Sequence, residues 1–207
     1  MRTYPAMLMS ALLLATTTAT GNATADNASD PHAHHHMMMQ QQRITSMSQV
    51  NYDVPPVKLV RDDGRAVSLA DELNDGRPVI LNFIYTTCTT VCPVTSHTFA
   101  QFQEMLGEER NKVHMISISI DPEQDTPERL AAYARKYEAA PQWHFYTGTN
   151  EASLTAQRAF DVYRGDKMNH SPVTLLRTVP GKSWLRIEGF ASAEDLLHEY
   201  RALSSVE

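Results

Sequence analysis

The stretch Cys88-Thr89-Thr90-Val91-Cys92-Pro93 holds the two cysteines of the sequence, and the rest of the chain is interpreted from it. The run before it, Val79–Tyr85 (VILNFIY), is apolar except for Asn82 and predicts a buried strand. A helical pattern begins at Pro93, directly after it. Two thiols between a central strand and a helix N-terminus are placed for redox or metal chemistry, because the helix dipole favours the thiolate form.

Alternating strand and helix patterns extend from this stretch in both directions. Before it, an Asp-Gly turn signal predicts a hairpin over residues 57–69. After it, the patterns predict helices over 94–107, 126–137 and from Asn150 to Phe160, the third with Asn150 as its cap, strands over 113–120 and 143–146, a hairpin over 172–188, and a last helix from Ser192. This order predicts an α/β fold, with a central mixed sheet flanked by helices and an N-terminal hairpin. The closing hairpin followed by a helix is the thioredoxin-like arrangement.

The first 25 residues predict an export signal. A positive start at Met1-Arg2 precedes an apolar run over Ala6–Ala15, and Ala23-Thr24-Ala25 has the small residues favoured before cleavage. The alternative is an uncleaved anchor, which would attach the protein to the outer face of the cytoplasmic membrane. We therefore expect an exported, periplasmic protein, whose N-terminus offers the means of membrane association.

Residues 26–50 are expected to be a disordered segment, because they contain little that could form a core. Within them lies the tract His32-Ala-His-His-His-Met-Met-Met39. Imidazole and thioether groups together favour copper, and thioethers select Cu(I). The other interpretation is a low-complexity linker that binds metals without selectivity. The folded domain is expected to cover residues 51–207.

The two cysteines are poorly explained as a structural disulfide, since the closed loop would hold three residues and restrain the unfolded chain little. If the helix begins between Cys88 and Val91, the thiols lie one turn apart on one face and can bind one soft metal ion. The best candidate for a third ligand is His170, in the loop before a predicted central strand. A Cys2His site suits copper and also zinc. A solvated surface histidine is the alternative interpretation.

Asp121 and Asp125 lie in a third marked segment, Asp121-Pro-Glu-Gln-Asp-Thr-Pro127, which follows the second core strand. Thr126 and Pro127 fit the start of a helix. The functional interpretation places Asp121 or Asp125 beside the site, as a hydrogen-bond acceptor that supports the ligands.

The Cys88–Pro93 stretch, the Asp121–Pro127 segment and His170 before a strand occur in this order along the chain. On these three motifs, the chain resembles the SCO/SenC family of copper-binding, thioredoxin-like proteins over residues 52–203. The resemblance implies that Cys88, Cys92 and His170 bind copper as Cu(I) or Cu(II). It also implies a metallochaperone that delivers copper, or reducing equivalents, to the subunit of cytochrome c oxidase that carries the CuA centre, or to another periplasmic copper protein. Two positions depart from the family pattern: Thr89 replaces the usual Pro, and Asn169 replaces a common Asp.

Two enzymatic alternatives stay open on the sequence. A thiol–disulfide oxidoreductase would use Cys88 and Cys92 as a redox-active pair on client cysteines, although thioredoxin-type enzymes have one residue fewer between the thiols. A peroxidase is suggested superficially by Thr89-x-x-Cys92, but the Pro expected near Tyr85 is missing. The formal net charge of -6 and the lack of a basic stripe argue against a nucleic-acid partner.

Overall fold

A computed structural model describes residues 44–205 of the chain. The predicted signal or anchor at 1–25 and the tract at 32–39 lie outside the described residues. Within 44–205, no helix is long and apolar enough to cross a membrane.

The fold is one mixed sheet of eight strands with helices packed on both faces, which confirms the predicted class. In chain order the strands are β1 (Ile44–Val50), β2 (Lys58–Arg61), β3 (Ala66–Ser68), β4 (Val79–Ile84), β5 (His114–Ser119), β6 (Trp143–Thr147), β7 (Val173–Arg177) and β8 (Trp184–Gly189). The helices are α1 (Leu69–Leu73), α2 (Val91–Leu106), α3 (Pro127–Lys136), α4 (Asn150–Ala159) and α5 (Ala193–Ser204). Short 3-10 turns cover Gly107–Lys112 and Lys167–Asn169.

The strands lie in the order β1-β8-β7-β4-β5-β6-β2-β3. β4 and β5 are parallel, as are β5 and β6, whereas β7 runs antiparallel to β4 and β8 antiparallel to β7. All six residues of β4 and all six of β5 are buried, as expected for strands covered on both faces. The predicted N-terminal hairpin is formed by β2 and β3.

Side chains alternate between two cores, one on each face of the sheet. Ile80 packs with α2, α3 and α5, and its neighbour Leu81 packs with α1 and α4. Both cysteines belong to the first core. The cysteine pair therefore lies on the face covered by α2, α3 and α5, at the carboxyl end of β4.

Two local predictions need correction. Ile44–Val50, which was placed in the disordered segment, forms β1 and pairs antiparallel with β8. Backbone pairing with β8 holds this edge strand in place. Because Ser46–Gln49 are exposed, the segment has no apolar pattern that would predict a strand. The cap of α4 is Thr149 rather than Asn150, because the Thr149 hydroxyl accepts a hydrogen bond from the N–H of Ala152.

Three other helix ends follow the sequence signals. Thr126 caps α3 by accepting from the N–H of Arg129, with Pro127 in the first turn. Ser192 and Asp195 form a reciprocal capping box at α5. Helix α2 stops at Gly107, whose φ of 55° favours glycine.

Candidate metal centre

Cys88 lies in the turn before α2, and its sulfur occupies the place of a helix cap. The backbone N–H of Cys88 donates to the carbonyl of Tyr85 over 3.1 Å, which closes the turn. The sulfur of Cys88 accepts from the N–H of Cys92, in the first turn of α2, at 3.4 Å. Thr90, the residue at the cap position, makes no side-chain cap hydrogen bond. The thiol of Cys88 thus takes the role that a Ser or Asp side chain has at other helix starts.

The two thiols have opposite acid–base character although they are neighbours. Burial acts to raise the pKa of Cys88, but hydrogen bonds from the N–H groups of Cys92 and Thr90 and from the Cys92 and Tyr85 side chains lower it to about 7. Cys92 is fully buried, and burial together with the adjacent Cys88 raises its pKa well above the ordinary value. Cys88 is therefore the thiolate of the pair near neutral pH.

Tyr85 lies between Cys88 and the exposed side chain of Met168. The Tyr85 hydroxyl contacts the sulfur of Met168 at 3.7 Å, and the tyrosine pKa is raised to about 12 by burial and by hydrogen bonding to Cys88. Met168 is 73% exposed, the most of any large apolar side chain in residues 44–205. An exposed thioether thus lies one side chain away from the thiolate of Cys88.

Asp125 ties the cysteine turn to the sheet. This fully buried carboxylate accepts from Thr86 Oγ1 at 2.5 Å and from Ser119 Oγ at 2.6 Å. The N–H of Thr86 lies 3.2 Å from both carboxylate oxygens. Thr86 opens the turn that carries Cys88, and Ser119 ends β5. Asp125 consequently fixes the turn relative to the central strands.

Asp121 ties the His170 loop to the same edge of the sheet. Its carboxylate accepts from Lys167 Nζ at 2.6 Å, and the same ammonium group lies 5.8 Å from the centre of the Tyr85 ring. Asp121 is buried, whereas Lys167 is partly exposed. The structure therefore places both aspartates as supports of loops that carry candidate ligands. Their influence on a bound metal stays a prediction.

His170 is buried at the start of the segment that leads into β7, and its Nε2 faces the carbonyl oxygen of Phe83 at 3.1 Å. Burial lowers the pKa of His170, which keeps the imidazole neutral at pH 7. A neutral imidazole is the form that binds metals. However, the nitrogen that faces Phe83 is occupied by a backbone hydrogen bond.

The structure brings Cys88 and Cys92 together but does not add His170 to them. Among residues 44–205, no group of three or more His, Cys, Asp and Glu side chains could hold a metal ion as arranged. Both cysteines are free thiols. Two adjacent soft sulfur donors fit a soft ion such as Cu(I), which accepts two-coordinate thiolate binding. The three-ligand set of Cys88, Cys92 and His170 stays a prediction.

The sequence interpretation treated Tyr85 as core and did not single out Thr86, Ser119 or Lys167. Tyr85 is buried as core, yet its hydroxyl acts on Cys88. The sequence did contain a signal for Thr86 and Ser119. Each is a hydroxyl residue at the carboxyl end of a strand, β4 or β5, and each faces the acidic segment that follows β5. Lys167 carries no such pattern, since its pairing with Asp121 spans 46 positions.

Fold and site together define a thioredoxin-like protein with a reduced Cys-x-x-x-Cys pair at the end of its central strand. The SCO1/SenC family model matches residues 45–204. The chain belongs to the SCO1/SenC family.

Curated relatives match about half of the chain. The SCO1 protein homolog of Bacillus subtilis is 35% identical over 106 residues, which are 51% of this chain and 54% of that protein. A putative copper-binding protein of Stutzerimonas stutzeri is 33% identical over 87 residues, 42% of each chain. The matched part thus spans about half the length of these relatives.

Solved structures match over a longer stretch. Copper-bound ScoI of Arabidopsis thaliana superposes with a TM-score of 0.62 at 25% identity, over 74% of this chain and 98% of that one. BsSco, described as a member of the Sco family of cytochrome c oxidase assembly proteins and as having a disulfide switch, gives a TM-score of 0.62 at 28% identity. That match covers 77% of this chain and 98% of BsSco.

Proposed function

We propose that this chain is an exported copper-binding metallochaperone, which carries copper on Cys88 and Cys92 and delivers it for assembly of the CuA centre of cytochrome c oxidase or for periplasmic copper handling. Copper is the cargo in this account. The relatives described above as copper-bound or as copper-binding support the choice of metal. The link of the Sco family to oxidase assembly, stated for BsSco, supports the choice of client.

The observation that carries the proposal is the paired geometry of the two sulfurs. Cys88 is a thiolate near neutral pH and Cys92 lies one hydrogen bond away. A soft cation bound to Cys88 would favour the thiolate of Cys92 as well, because a coordinating thiol is deprotonated by the ion's own charge. Two thiolates then bind Cu(I), and His170 completes the set if its imidazole leaves the carbonyl of Phe83.

A second candidate function is thiol–disulfide exchange on client cysteines, and the unequal pKa values of the two thiols favour it. The Cys88 thiolate would attack a client disulfide, which forms a mixed disulfide and releases one client thiolate. Cys92 would then attack the Cys88 sulfur, which releases the second client thiol and leaves a Cys88–Cys92 disulfide. The client is reduced by two electrons and the pair is oxidised by two.

An anaerobic Cu(I) competition titration tests the first function. The protein is titrated against a coloured Cu(I) chelator in a variant whose four histidines and three methionines in the 32–39 tract are replaced by Gln and Leu, so that the tract contributes no ligand. We expect one tightly held copper per chain, lost in the Cys88→Ser, Cys92→Ser double variant. Equal copper retention by the double variant would contradict the proposal.

The two functions are separated by an assay of the metal-free protein. If the reduced, copper-free chain reduces a disulfide-bonded client peptide in repeated cycles with a reductant, and Cys88→Ser abolishes this, thiol exchange is an activity of the pair. We expect each molecule of metal-free protein to reduce one client disulfide and then stop, without repeated cycles. We expect the copper-loaded protein to reduce none, since the metal occupies both sulfurs.

Export and membrane attachment belong to the same proposal. They rest on the N-terminal 25 residues and on the apolar run at 6–15. Fractionation of cells that express the full chain is the test: we expect a periplasmic or membrane-bound protein, and a cytoplasmic one would contradict the proposal.

A further inference from the structure

We propose that Met168 is the entry ligand for Cu(I): its exposed thioether takes the ion from a donor outside the protein and passes it to the thiolate of Cys88. This inference rests on the proposed function, that the cysteine pair binds copper, and adds the residue through which the metal enters and leaves. Its chemistry is that of a soft cation, since thioethers select Cu(I).

The first observation is that the two thiols are nearly closed to solvent. Cys88 is 7% exposed and Cys92 is 0% exposed. A donor holds Cu(I) on its own ligands, and a direct exchange would have to bring those ligands against a buried sulfur. A soft ligand that is accessible from outside and adjacent to the pair would contact the ion first.

The second observation is that Met168 is such a ligand. A single exposed apolar side chain is ordinary by itself. What distinguishes Met168 is its contact, because the Tyr85 hydroxyl donates to the Met168 sulfur over 3.7 Å and also hydrogen bonds to Cys88. One hydroxyl group therefore separates an exposed thioether from the thiolate of the pair.

The third observation is that the other methionines of residues 44–205 offer no such route. Met115 is fully buried in β5. Met47 lies on β1, which β8 and β7 separate from β4. Met105 is partly exposed, but it lies in the last turn of α2, about 20 Å along the helix axis from Cys92. Met105 is consequently a matched control for Met168.

The fourth observation is that the backbone of Met168 is fixed while its side chain is free. The Asp166 carboxylate accepts from the N–H of Met168 at 2.9 Å, and the N–H of His170 donates to the carbonyl of Lys167 at 3.1 Å. The Lys167 ammonium group is paired with Asp121 at 2.6 Å. With three rotatable bonds, the thioether can turn between solvent and Tyr85 without movement of the loop.

The transfer is a sequence of ligand exchanges. The thioether of Met168 joins the ligands of Cu(I) on the donor, and one donor ligand leaves. The thiolate of Cys88 then binds the ion, the thioether leaves, and Cys92 releases its proton to water as it binds. Copper stays Cu(I) throughout, and no electron is transferred. The ion moves inward because an anionic thiolate attracts a cation more strongly than a neutral thioether does.

The test measures the rate at which Cu(I) leaves a coloured chelator complex for the reduced protein, without oxygen, by stopped-flow absorbance. All proteins are the full chain with the 32–39 tract replaced by Gln and Leu as above, so that the tract contributes no thioether. Met168→Leu removes the thioether and keeps an apolar side chain of similar volume. Met105→Leu is the control, and the Cys88→Ser, Cys92→Ser double variant shows how much copper binds elsewhere.

We expect Met168→Leu to load the cysteine pair roughly tenfold or more slowly than Met105→Leu. The equilibrium affinity for Cu(I) should stay within about threefold, since Met168 is not a ligand in the final complex. Alkylation of Cys88 by iodoacetamide in the metal-free protein should also be unchanged. A purely structural role of Met168 would alter these last two quantities.

Equal loading rates in Met168→Leu and Met105→Leu would overturn the proposal. A loss of affinity as large as the loss of rate would also overturn it, because Met168 would then be a permanent ligand. So would a changed alkylation rate, because the substitution would then act on access to Cys88.

Failure of the proposed function gives a different result. If the protein with an unchanged Met168 binds no more copper than the double cysteine variant, the pair does not bind copper. That outcome is seen before any change is made at Met168, and it is therefore distinct from the other three.

Discussion

The sulfur of Cys88 caps helix α2 by accepting the backbone N–H of Cys92 over 3.4 Å. One hydrogen bond thus joins the two residues proposed to share a copper ion, and it makes them chemically unequal. The same contact contributes to the lowered pKa of Cys88. Several measurable properties follow from this relationship and from the loops around it.

The first prediction concerns thiol reactivity in the reduced, metal-free protein. Alkylation of Cys88 by iodoacetamide should reach half its maximal rate near pH 7, because hydrogen bonds lower the pKa of this thiol to about 7. Cys92 should stay unmodified up to pH 9, since burial raises its pKa. Mass spectrometry of peptides after timed alkylation measures both. A half-maximal rate near the ordinary cysteine pKa of about 8.5 would contradict the capping account.

The second prediction concerns the buried carboxylate of Asp125. Asp125→Ala should lower the free energy of unfolding by about 3 kcal/mol, because Thr86 and Ser119 then keep buried donors without their acceptor. Urea denaturation measures the loss. The matched control is Arg65→Met, which removes an exposed ion pair with Asp63 and should lower the free energy of unfolding far less than Asp125→Ala does. Equal losses for the two variants would show that Asp125 does not fix the cysteine turn.

The third prediction concerns His170. His170→Ala should weaken Cu(II) binding by at least about tenfold, or roughly 1.4 kcal/mol, and should change Cu(I) binding less. The physical reason is that two thiolates satisfy Cu(I), whereas Cu(II) favours additional nitrogen donors. Titration followed by the Cu(II)–thiolate absorption measures this effect. His97→Ala, an exposed histidine on α2, is the control and should bind as the native protein does. An unchanged Cu(II) affinity in His170→Ala would remove His170 from the ligand set.

The fourth prediction concerns acid stability and involves His114, which is buried at the start of β5. Burial lowers its pKa to about 4, Arg77 and His144 add to this effect, and Asp75 and Glu72 oppose it. Between the ordinary value of 6.5 and about pH 4, the unfolded chain holds a proton that the folded chain excludes. The contribution of neutral His114 to the free energy of unfolding is therefore complete above pH 6.5. As pH falls through this window, the free energy of unfolding decreases by up to about 3 kcal/mol.

Urea denaturation at several pH values between 7 and 4 measures the loss attributed to His114. His114→Gln should flatten the pH dependence in this window, whereas His198→Gln, at an exposed position of α5, should leave it in place. A native-like slope in His114→Gln would assign the acid sensitivity to other groups.

Sequence patterns predicted the elements whose determinants are local. The buried run of β4, the Thr126 cap and the capping box at Ser192 each depend on residues within a few positions. Strand β1 escaped prediction because its polar residues are held by backbone pairing with β8, more than 130 positions away. Such pairing leaves no apolar signal in β1 itself.

At the site, the sequence located the participating residues better than it oriented them. The sequence predicted a helix that begins between Cys88 and Val91; α2 begins at Val91, the last position of that range, so Cys88 lies before the helix and caps it. The loop of His170 was predicted beside the site, but the direction of the imidazole depends on the carbonyl of Phe83, which is distant in sequence. Orientation of this kind follows from tertiary packing and not from local pattern.

The most direct test of the central claim is X-ray absorption at the copper K-edge of the Cu(I)-loaded protein, in the variant whose 32–39 tract lacks metal ligands. The account predicts one copper per chain with two sulfur neighbours, and their disappearance in the Cys88→Ser, Cys92→Ser double variant. A copper ion without sulfur neighbours, or sulfur neighbours that persist in the double variant, would contradict the account.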